Sequence, residues 1–463
     1  MNNAEIKKID FFRDTIAAVA TPSGRGGIGV IRLSGPETQA IAMAFVGRLP
    51  KPRYADYLNF IDVNGACLDK GLVLYFPAPN SFTGEDVLEI QGHGGPFILD
   101  CLLQRILQLG ARLARPGEFS ERAFLNGKLD LIQAEAIADL IDAESNQAAR
   151  AAICSLQGKF SKHIHCMTET LIALRMYLEA SIDFSDEMID FLKNSDVEKK
   201  LNSILLEIKK IKKAAKQGVL LREGMSIAIV GPPNVGKSSL LNKLTGQDSA
   251  IVTPVAGTTR DLIREKIHID GLPIHIVDTA GLRKTEDEIE QQGIKRSLAE
   301  IDKADRILLV VDSSISSLSD LKSLYQMDFF DHLLINKRVT IIRNKIDINQ
   351  ESERLSREVD FDVISLSVKT GKGLSILHNY LKASIGYECG AEGSFSARRR
   401  HLQALDEAET ALTNGLQKLV SYQFPELLAE DLIIAQNHLN TITGQFTTDD
   451  LLGKIFSSFC IGK

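Results

Sequence analysis

At 463 residues the chain exceeds what one ordinary hydrophobic core serves, so two to four domains are expected. Hydrophobic residues make up 44% and charged residues 25%, the balance of a soluble globular protein, and a net charge of -6 argues against coating nucleic acid by bulk electrostatics. Six scattered cysteines (Cys67, Cys101, Cys154, Cys166, Cys389 and Cys460) form no C-x-x-C pair, which argues against a zinc knuckle or a disulfide framework.

The N-terminal twenty residues hold no long apolar core with a cleavage site, and no run approaches the roughly 20 apolar residues that cross a bilayer, so a cytoplasmic location is expected. Residues 1–119 mix short β-type runs ("TIAAVA", "GIGVIRLSG", "GLVLYF", "VLEIQGHGG") with glycine and proline turns and one amphipathic helix, "FILDCLLQRILQLG". This is an α+β domain. Residues 120–223 turn helical. "SERAFLNGKLDLIQAEAIADLIDAES" has helical spacing and no internal proline, with Ser120 as its cap. "VEKKLNSILLEIKKIKKAAKQG" carries Ile204, Leu205, Ile208 and Ile211 on one stripe, with Gly218 as its stop.

Residues 224–386 alternate strands with helices: "SIAIV", "IHIVDT", "RILLVVD", "VTIIRN" and "VISLS". That alternation predicts a mainly parallel sheet with helices on both faces. Residues 387–463 return to helix and end on "FCIGK". The expected architecture is therefore multidomain: an α+β N-terminal domain, then an all-helical domain into which a Ras-like α/β domain is inserted.

The α/β stretch carries the chemistry. "GPPNVGKS" (231–238) fits G-x-x-x-x-G-K-[ST], follows an apolar strand and opens a helix, which is the context of a P-loop. Its backbone N–H groups curl around a phosphate at the positive end of a helix. The phosphate-binding segment comprises Asn234, Val235, Gly236, Lys237, Ser238 and Ser239. Lys237 is placed to reach the β/γ-phosphates, and Ser238 to ligate Mg²⁺ together with Thr259 of "GTTRD". "DTAG" supplies Asp278, Thr279, Ala280 and Gly281 at a strand tip. "NKID" places Asn344, Lys345 and Asp347 to read guanine, and "SVK" brings Ser367 and Lys369 over the base. An aspartate acceptor suits guanine and repels the adenine edge. Leu282 stands where Ras-like proteins carry a water-positioning glutamine. Hydrolysis then needs another water-holder, with Arg283, Glu286, Asp287, Glu288 and Glu290 nearby.

The P-loop with Asn234, "AGTTRD", "DTAGLRKTEDEIE", "NSFTGEDVLEIQGHGG", "ARPGEFSERAFLNGKLDLIQAEAIADLI" and the terminal "FCIGK" together closely resemble the MnmE (TrmE) family of tRNA-modifying GTPases, over essentially the whole chain. The resemblance implies a homodimer that works with the FAD-dependent partner MnmG. The pair adds a carboxymethylaminomethyl or aminomethyl group to C5 of the wobble uridine of certain tRNAs. It implies a tetrahydrofolate one-carbon carrier (5-formyl- or 5,10-methylene-tetrahydrofolate), with glycine or ammonium supplying the amine. It also implies potassium-dependent GTP hydrolysis, with K⁺ held by Asn234, Thr253, Val255 and Thr258, of which Thr253 and Thr258 also border the nucleotide, and Glu290 as the water-positioning group.

For folate, the resemblance implies contacts from Arg32, Glu89, Lys128 and Lys463. A carboxylate suits the pterin edge, and cations suit the glutamate tail. The C-terminal helices must then fold back onto the N-terminal domain, with Phe459 as anchor and Gly462 permitting the turn. Cys460 has two readings: a catalytic thiol near the one-carbon unit, or a buried small hydrophobe that fixes the tail. His93 in "GHGG" is either catalytic or a turn-packing residue. The lysines Lys199 to Lys216 and the run Arg398–Arg400 could meet tRNA phosphates, the plain alternative being a solvated helix face. The alternative functions are an RNA-binding ribosome-assembly GTPase without modification chemistry, and a folate-dependent methyl-transfer enzyme regulated by its G domain.

Overall fold

In the computed structural model the described residues are 14–183, 195–247, 264–278, 301, 304–314, 339–358, 361–388, 395–422, 425–445 and 449–462. Thr253, Val255, Thr258, Thr259, Thr279, Ala280, Gly281, Leu282, Glu290 and Lys463 lie outside them, as does the side chain of Asp278.

In chain order the first elements are β1 (Ile16–Val19), β2 (Gly29–Ser34), α1 (Thr38–Val46), β3 (Asp56–Ile61), β4 (Cys67–Phe76), β5 (Val87–Gly92), α2 (Pro96–Gln108), β6 (Arg112–Leu113) and α3 (Glu118–Leu125). The strands form one sheet in the order β3-β4-β5-β2-β1-β6, antiparallel except for the β1–β6 pair. One face of the sheet buries Ile31, Leu33, Val73, Leu88 and Ile90 against Ile41 and Phe45 of α1 and Leu102 and Ile106 of α2. The alternation of buried and half-exposed residues along β2 and β4 has the two-residue period of a half-covered strand. The other face carries a smaller cluster of Ile16, Ala18, Ala114 and Phe119.

Then come α4 (Leu131–Ile141), α5 (Asn146–Leu156), α6 (Lys159–Asp183) and α7 (Ser195–Glu223). The single helix expected after residue 120 is two. Gly127, at φ 65°, ends α3, and Asp130 starts α4. Asp130 Oδ1 accepts from Gln133 N (2.8 Å), and Gln133 Oε1 accepts from Asp130 N (3.1 Å), a reciprocal cap. Ser120 therefore caps nothing and is buried inside α3. Nor does Gly218 stop α7. The helix runs on to Glu223, and the missing side chain at 218 makes room for the Phe395 carbonyl. The stripe Ile204, Leu205, Ile208 and Ile211 is buried as expected.

The α/β part comprises β7 (Met225–Val230), α8 (Lys237–Gln247), β8 (Arg264–Ile269), β9 (Leu272–Asp278), β10 (Arg306–Asp312), β11 (Val339–Asn344), α9 (Ile346–Asn349), β12 (Arg354–Glu358), β13 (Phe361–Ser365) and α10 (Leu374–Ser384). Sheet order is β12-β13-β11-β10-β7-β9-β8. The inner five strands are parallel, and the edges β8 and β12 are antiparallel. These two edge strands went unread in the sequence. Three further helices close the chain: α11 (Arg399–Tyr422), α12 (Pro425–Thr443) and α13 (Asp449–Ser457).

Two compact units result. The first combines residues up to 138 with 156–204 and 407–463, and the second combines 139–155 with 205–406. In the first unit α6 packs along α12, and Arg175 donates to Gln436 Oε1 (2.9 Å). α13 brings Ile455, Phe456 and Phe459 onto Leu131, Ala134 and Ala138 of α4. In the second unit the chain segments leading into and out of the sheet are pinned together by Asp139, whose buried carboxylate accepts from Arg222 Nε (2.8 Å), an Arg398 guanidinium nitrogen (3.0 Å) and Ser396 Oγ.

Candidate functional sites

The strand order reverses between β7 and β10, and in open parallel sheets ligands bind outside the carboxyl ends of the strands at such a point. The loop 231–236 occupies that place, between the end of β7 and the start of α8. The space a side chain would need at Gly231 is filled by the Val310 carbonyl of β10, so the loop lies tight on the neighbouring strand. Asn234 adopts φ 64°, a left-handed conformation that asparagine tolerates better than most residues. Asn234, Ser238 and Ser239 are exposed at the mouth of the loop. Val235 is buried in the core beneath it. Lys237 Nζ donates to the carbonyls of Gly231 (2.7 Å) and Pro232 (2.8 Å), curled back over the loop.

Asn344 connects this loop to the "NKID" and "SVK" motifs. Its side chain is buried at the end of β11. Nδ2 donates to the Val235 carbonyl (2.8 Å), while Oδ1 accepts from Lys345 N (2.8 Å) and Val368 N (3.1 Å). The space beside Gly236 is taken by the Asn344 amide. Ser367 Oγ donates to Asp347 Oδ1 (2.6 Å), which fixes that carboxylate. Lys345 pairs with Asp312 (2.8 Å), and this contact, against a smaller opposing effect of burial, holds the Asp312 carboxyl below its ordinary range. Lys369 is exposed beside this group. The structure therefore brings together the P-loop, "NKID" and "SVK". The "GTTRD" segment, the switch end of "DTAG" and Glu290 fall outside the described residues.

A second cluster lies on the N-terminal sheet. Arg32 on β2 and Glu89 on β5 stand opposite one another in register. Both Arg32 Nε (2.9 Å) and a terminal guanidinium nitrogen (2.8 Å) donate to Glu89 Oε1. The Arg32 guanidinium lies over the rings of Phe82 (5.5 Å) and Phe119 (5.8 Å). Sequence reasoning missed both aromatics, because nothing in the spacing of residues 32, 82 and 119 announces a shared site. Lys128 packs its stem near Gly84, in the loop that carries Phe82.

The C-terminal segment reaches this sheet. Gly117 N donates to the Cys460 carbonyl (3.3 Å), and Phe459 is buried with its ring 5.4 Å from Phe456. Gly462, at φ 94°, presses against the Val19 carbonyl and Ala20 of the first strand and its extension, where a Cβ would sit 2.5 Å from the oxygen. The expected anchor and turn are thus both in place. Cys460 itself is exposed, so the buried-hydrophobe reading does not hold for its side chain.

His93 is also exposed. Its Nδ1 lies 2.7 Å from Asp69 Oδ1, and its backbone N donates to Asp69 Oδ2 (2.8 Å), so Asp69 fixes the turn. The lysines of α7 are extensively engaged: Lys210 with Glu207, Lys212 with Asp406, Lys213 with Glu388, and Lys200 over Tyr177. Arg398 and Arg399 pair with Asp139 and Glu223. Lys210, Lys212, Lys213, Arg398 and Arg399 thus each have an acidic partner within this fold.

Known proteins resemble this one along nearly its whole length. A family described as "GTP-binding protein TrmE N-terminus" matches residues 15–128, and one described as "MnmE helical domain" matches residues 131–460. The curated tRNA modification GTPase MnmE of Yersinia pseudotuberculosis is 57% identical over 451 residues, 97% of this chain and 99% of that protein. The Proteus mirabilis protein of the same name is 56% identical over the same shares. Among solved structures, the G domain of the T. maritima FeoB iron transporter is 27% identical, covering 35% of this chain and 96% of that one, at a TM-score of 0.25. The chain belongs to the MnmE family of tRNA modification GTPases.

Proposed function

We propose that this chain is a cytoplasmic, homodimeric, potassium-dependent GTPase. With the FAD-dependent partner MnmG it adds a carboxymethylaminomethyl or aminomethyl group to C5 of the wobble uridine of certain tRNAs. The observation that carries this reading is the presence in one chain of a P-loop braced by Asn344 and an Arg32–Glu89 pair on the sheet that receives the C-terminal segment.

At the nucleotide, Lys237 leaves its two carbonyl partners for the β/γ-phosphates, and the exposed Ser238 hydroxyl and Thr259 hold Mg²⁺. Asp347, oriented by Ser367, accepts from the guanine edge. The exposed, left-handed Asn234 fits a K⁺ ligand, because the residue is open to solvent in the P-loop and its side chain carries a carbonyl oxygen; Thr253, Val255 and Thr258 would complete the set. A monovalent cation there supplies the charge stabilisation that an arginine finger gives other GTPases. Glu290 positions the attacking water in place of the glutamine that Leu282 replaces.

At the second site, Glu89 accepts from the pterin edge, Arg32 holds Glu89 in place, and Lys128 and Lys463 meet the carboxylates of a tetrahydrofolate one-carbon carrier. Cys460, exposed in the segment that seats Gly462 on the first strand, serves in this reading as the reactive thiol.

The reading is tested by nucleoside analysis of tRNA from cells lacking the chain, where the 5-substituted wobble uridine should vanish. Unchanged modification would overturn it. For the ion, turnover should fall at least about tenfold when Na⁺ replaces K⁺, and Asn234→Ala should abolish that difference. Equal rates for the wild type in both salts would remove K⁺ from the mechanism.

A further inference from the structure

Arg122 of α3 is fully buried, which a guanidinium tolerates only when acceptors surround it. It donates to the Asp14 carbonyl (2.9 Å), to Asp14 Oδ1 (2.9 Å) and to Glu118 Oε1 (3.1 Å). The Asp14 contacts tie α3 to the segment just before β1, and the Glu118 contact lies within α3 itself. A further partner, Glu85, lies in the loop 81–85 between β4 and β5, with Oε1 and Oε2 at 3.2 and 3.1 Å from an Arg122 nitrogen.

The loop is pinned from inside throughout. Glu85 Oε2 accepts from Ser34 Oγ (2.6 Å), Thr83 Oγ1 lies 2.6 Å from the same hydroxyl, and Asn126 Nδ2 donates to the Thr83 carbonyl (2.7 Å). Ser34 and Thr83 are themselves buried. Buried polar ties of this kind hold one backbone conformation, since breaking any of them strands an unpaired group. The only aromatic side chain the loop carries is Phe82, whose ring lies against Arg32. The same loop lies under the Lys128 stem at Gly84.

We infer that Glu85, held by Arg122, is a positioning residue of the Arg32–Glu89 site: it fixes the loop so that Phe82 covers the Arg32 guanidinium. The inference rests on the folate reading above. Glu85 touches no ligand. It acts through Phe82, and Phe82 acts on Arg32, which needs a fixed plane to hold the Glu89 carboxylate toward a planar heterocycle.

The test uses full-length protein and 5-formyltetrahydrofolate, with affinity measured by calorimetry and the thermal midpoint recorded as a fold control. Wild type should bind. Glu85→Gln and Phe82→Leu should each weaken binding by about tenfold, the scale of one aromatic contact. The double variant should bind no more weakly than Phe82→Leu alone, because both substitutions break the same chain of contacts. Additive losses, or binding by Glu85→Gln within about twofold of wild type, overturn the positioning role and leave the folate reading standing. Failure of the wild type to bind overturns the folate reading and this inference with it. If Glu85→Gln does not fold, Ser34→Ala, which removes one anchor of Glu85, should show the same non-additivity with Phe82→Leu, and additive losses there overturn the inference.

Discussion

Asn344 shows what a single side chain does beyond the motif it belongs to. With 3% of its surface exposed, it joins three segments of the guanine-site machinery through three hydrogen bonds. Each such bond is worth about 1 kcal/mol, and the groups left behind would be buried and unpaired. Asn344→Ala should therefore weaken guanine-nucleotide binding by roughly 30- to 100-fold, measured by titration with a fluorescent GDP analogue; a change below about threefold would show that the brace is dispensable. The "NKID" spacing was legible because local sequence carries it. The brace was not, because it needs Val235 and Val368 to be brought beside residue 344 by the sheet. Phe82 and Phe119 were hidden for the same reason, whereas the seats of Phe459 and Gly462 followed from the resemblance, which required the tail to fold back and left a bulky anchor and a residue free to turn to do it.

Helices and strands were read where their periodicity was strong. The central strands β7, β10 and β11 are continuous apolar runs, as strands covered on both faces must be. β12, "RLSRE", is nearly all polar and exposed, so it carries no such signature. The break between α3 and α4 rests on Gly127 and the Asp130–Gln133 cap, whose signals were overruled by the helical spacing around them. Another cluster unread in the sequence is the set of ion pairs at Asp139, where α4, the end of α7 and the segment before α11 meet. Asp139→Ala leaves two arginines facing a site without its carboxylate. Arg222 is partly exposed and can be rehydrated, so the expected loss is about 2 kcal/mol, below the cost of breaking a fully buried pair. A fall in the urea midpoint would register it, and an unchanged midpoint would show that the junction is held by its apolar contacts.

At the scale of the whole molecule, acid should act on both units through their carboxylates. At Asp14, Glu118 and Asp69, burial pushes the carboxyl upward, but hydrogen bonds from Arg112, Arg122, Arg115 N and His93 outweigh it and hold all three below their ordinary range. Asp312 is held down likewise by Lys345. A carboxyl lower in the folded than the unfolded chain contributes stability above its ordinary value and loses it as pH falls through the folded value, so the loss belongs below about pH 4. Glu121, raised by burial, opposes this weakly with the reverse sign. Thermal midpoints should be level from about pH 7 to pH 5 and drop steeply below about 4; a flat profile to pH 3 would refute the assignment.

Length and composition announced several domains, and the run of motifs placed the α/β part correctly between helices. Which helices share a compact unit with the sheet depends on packing between distant segments, which no local pattern encodes. The seat of Gly462 on the first strand has a consequence for birth on the ribosome. The unit that holds the N-terminal sheet waits for Gly462 before that contact can form, while every residue of the other unit, which ends at 406, precedes it in the chain. A stalled or truncated nascent chain would thus present a finished nucleotide-binding half attached to an unfinished one.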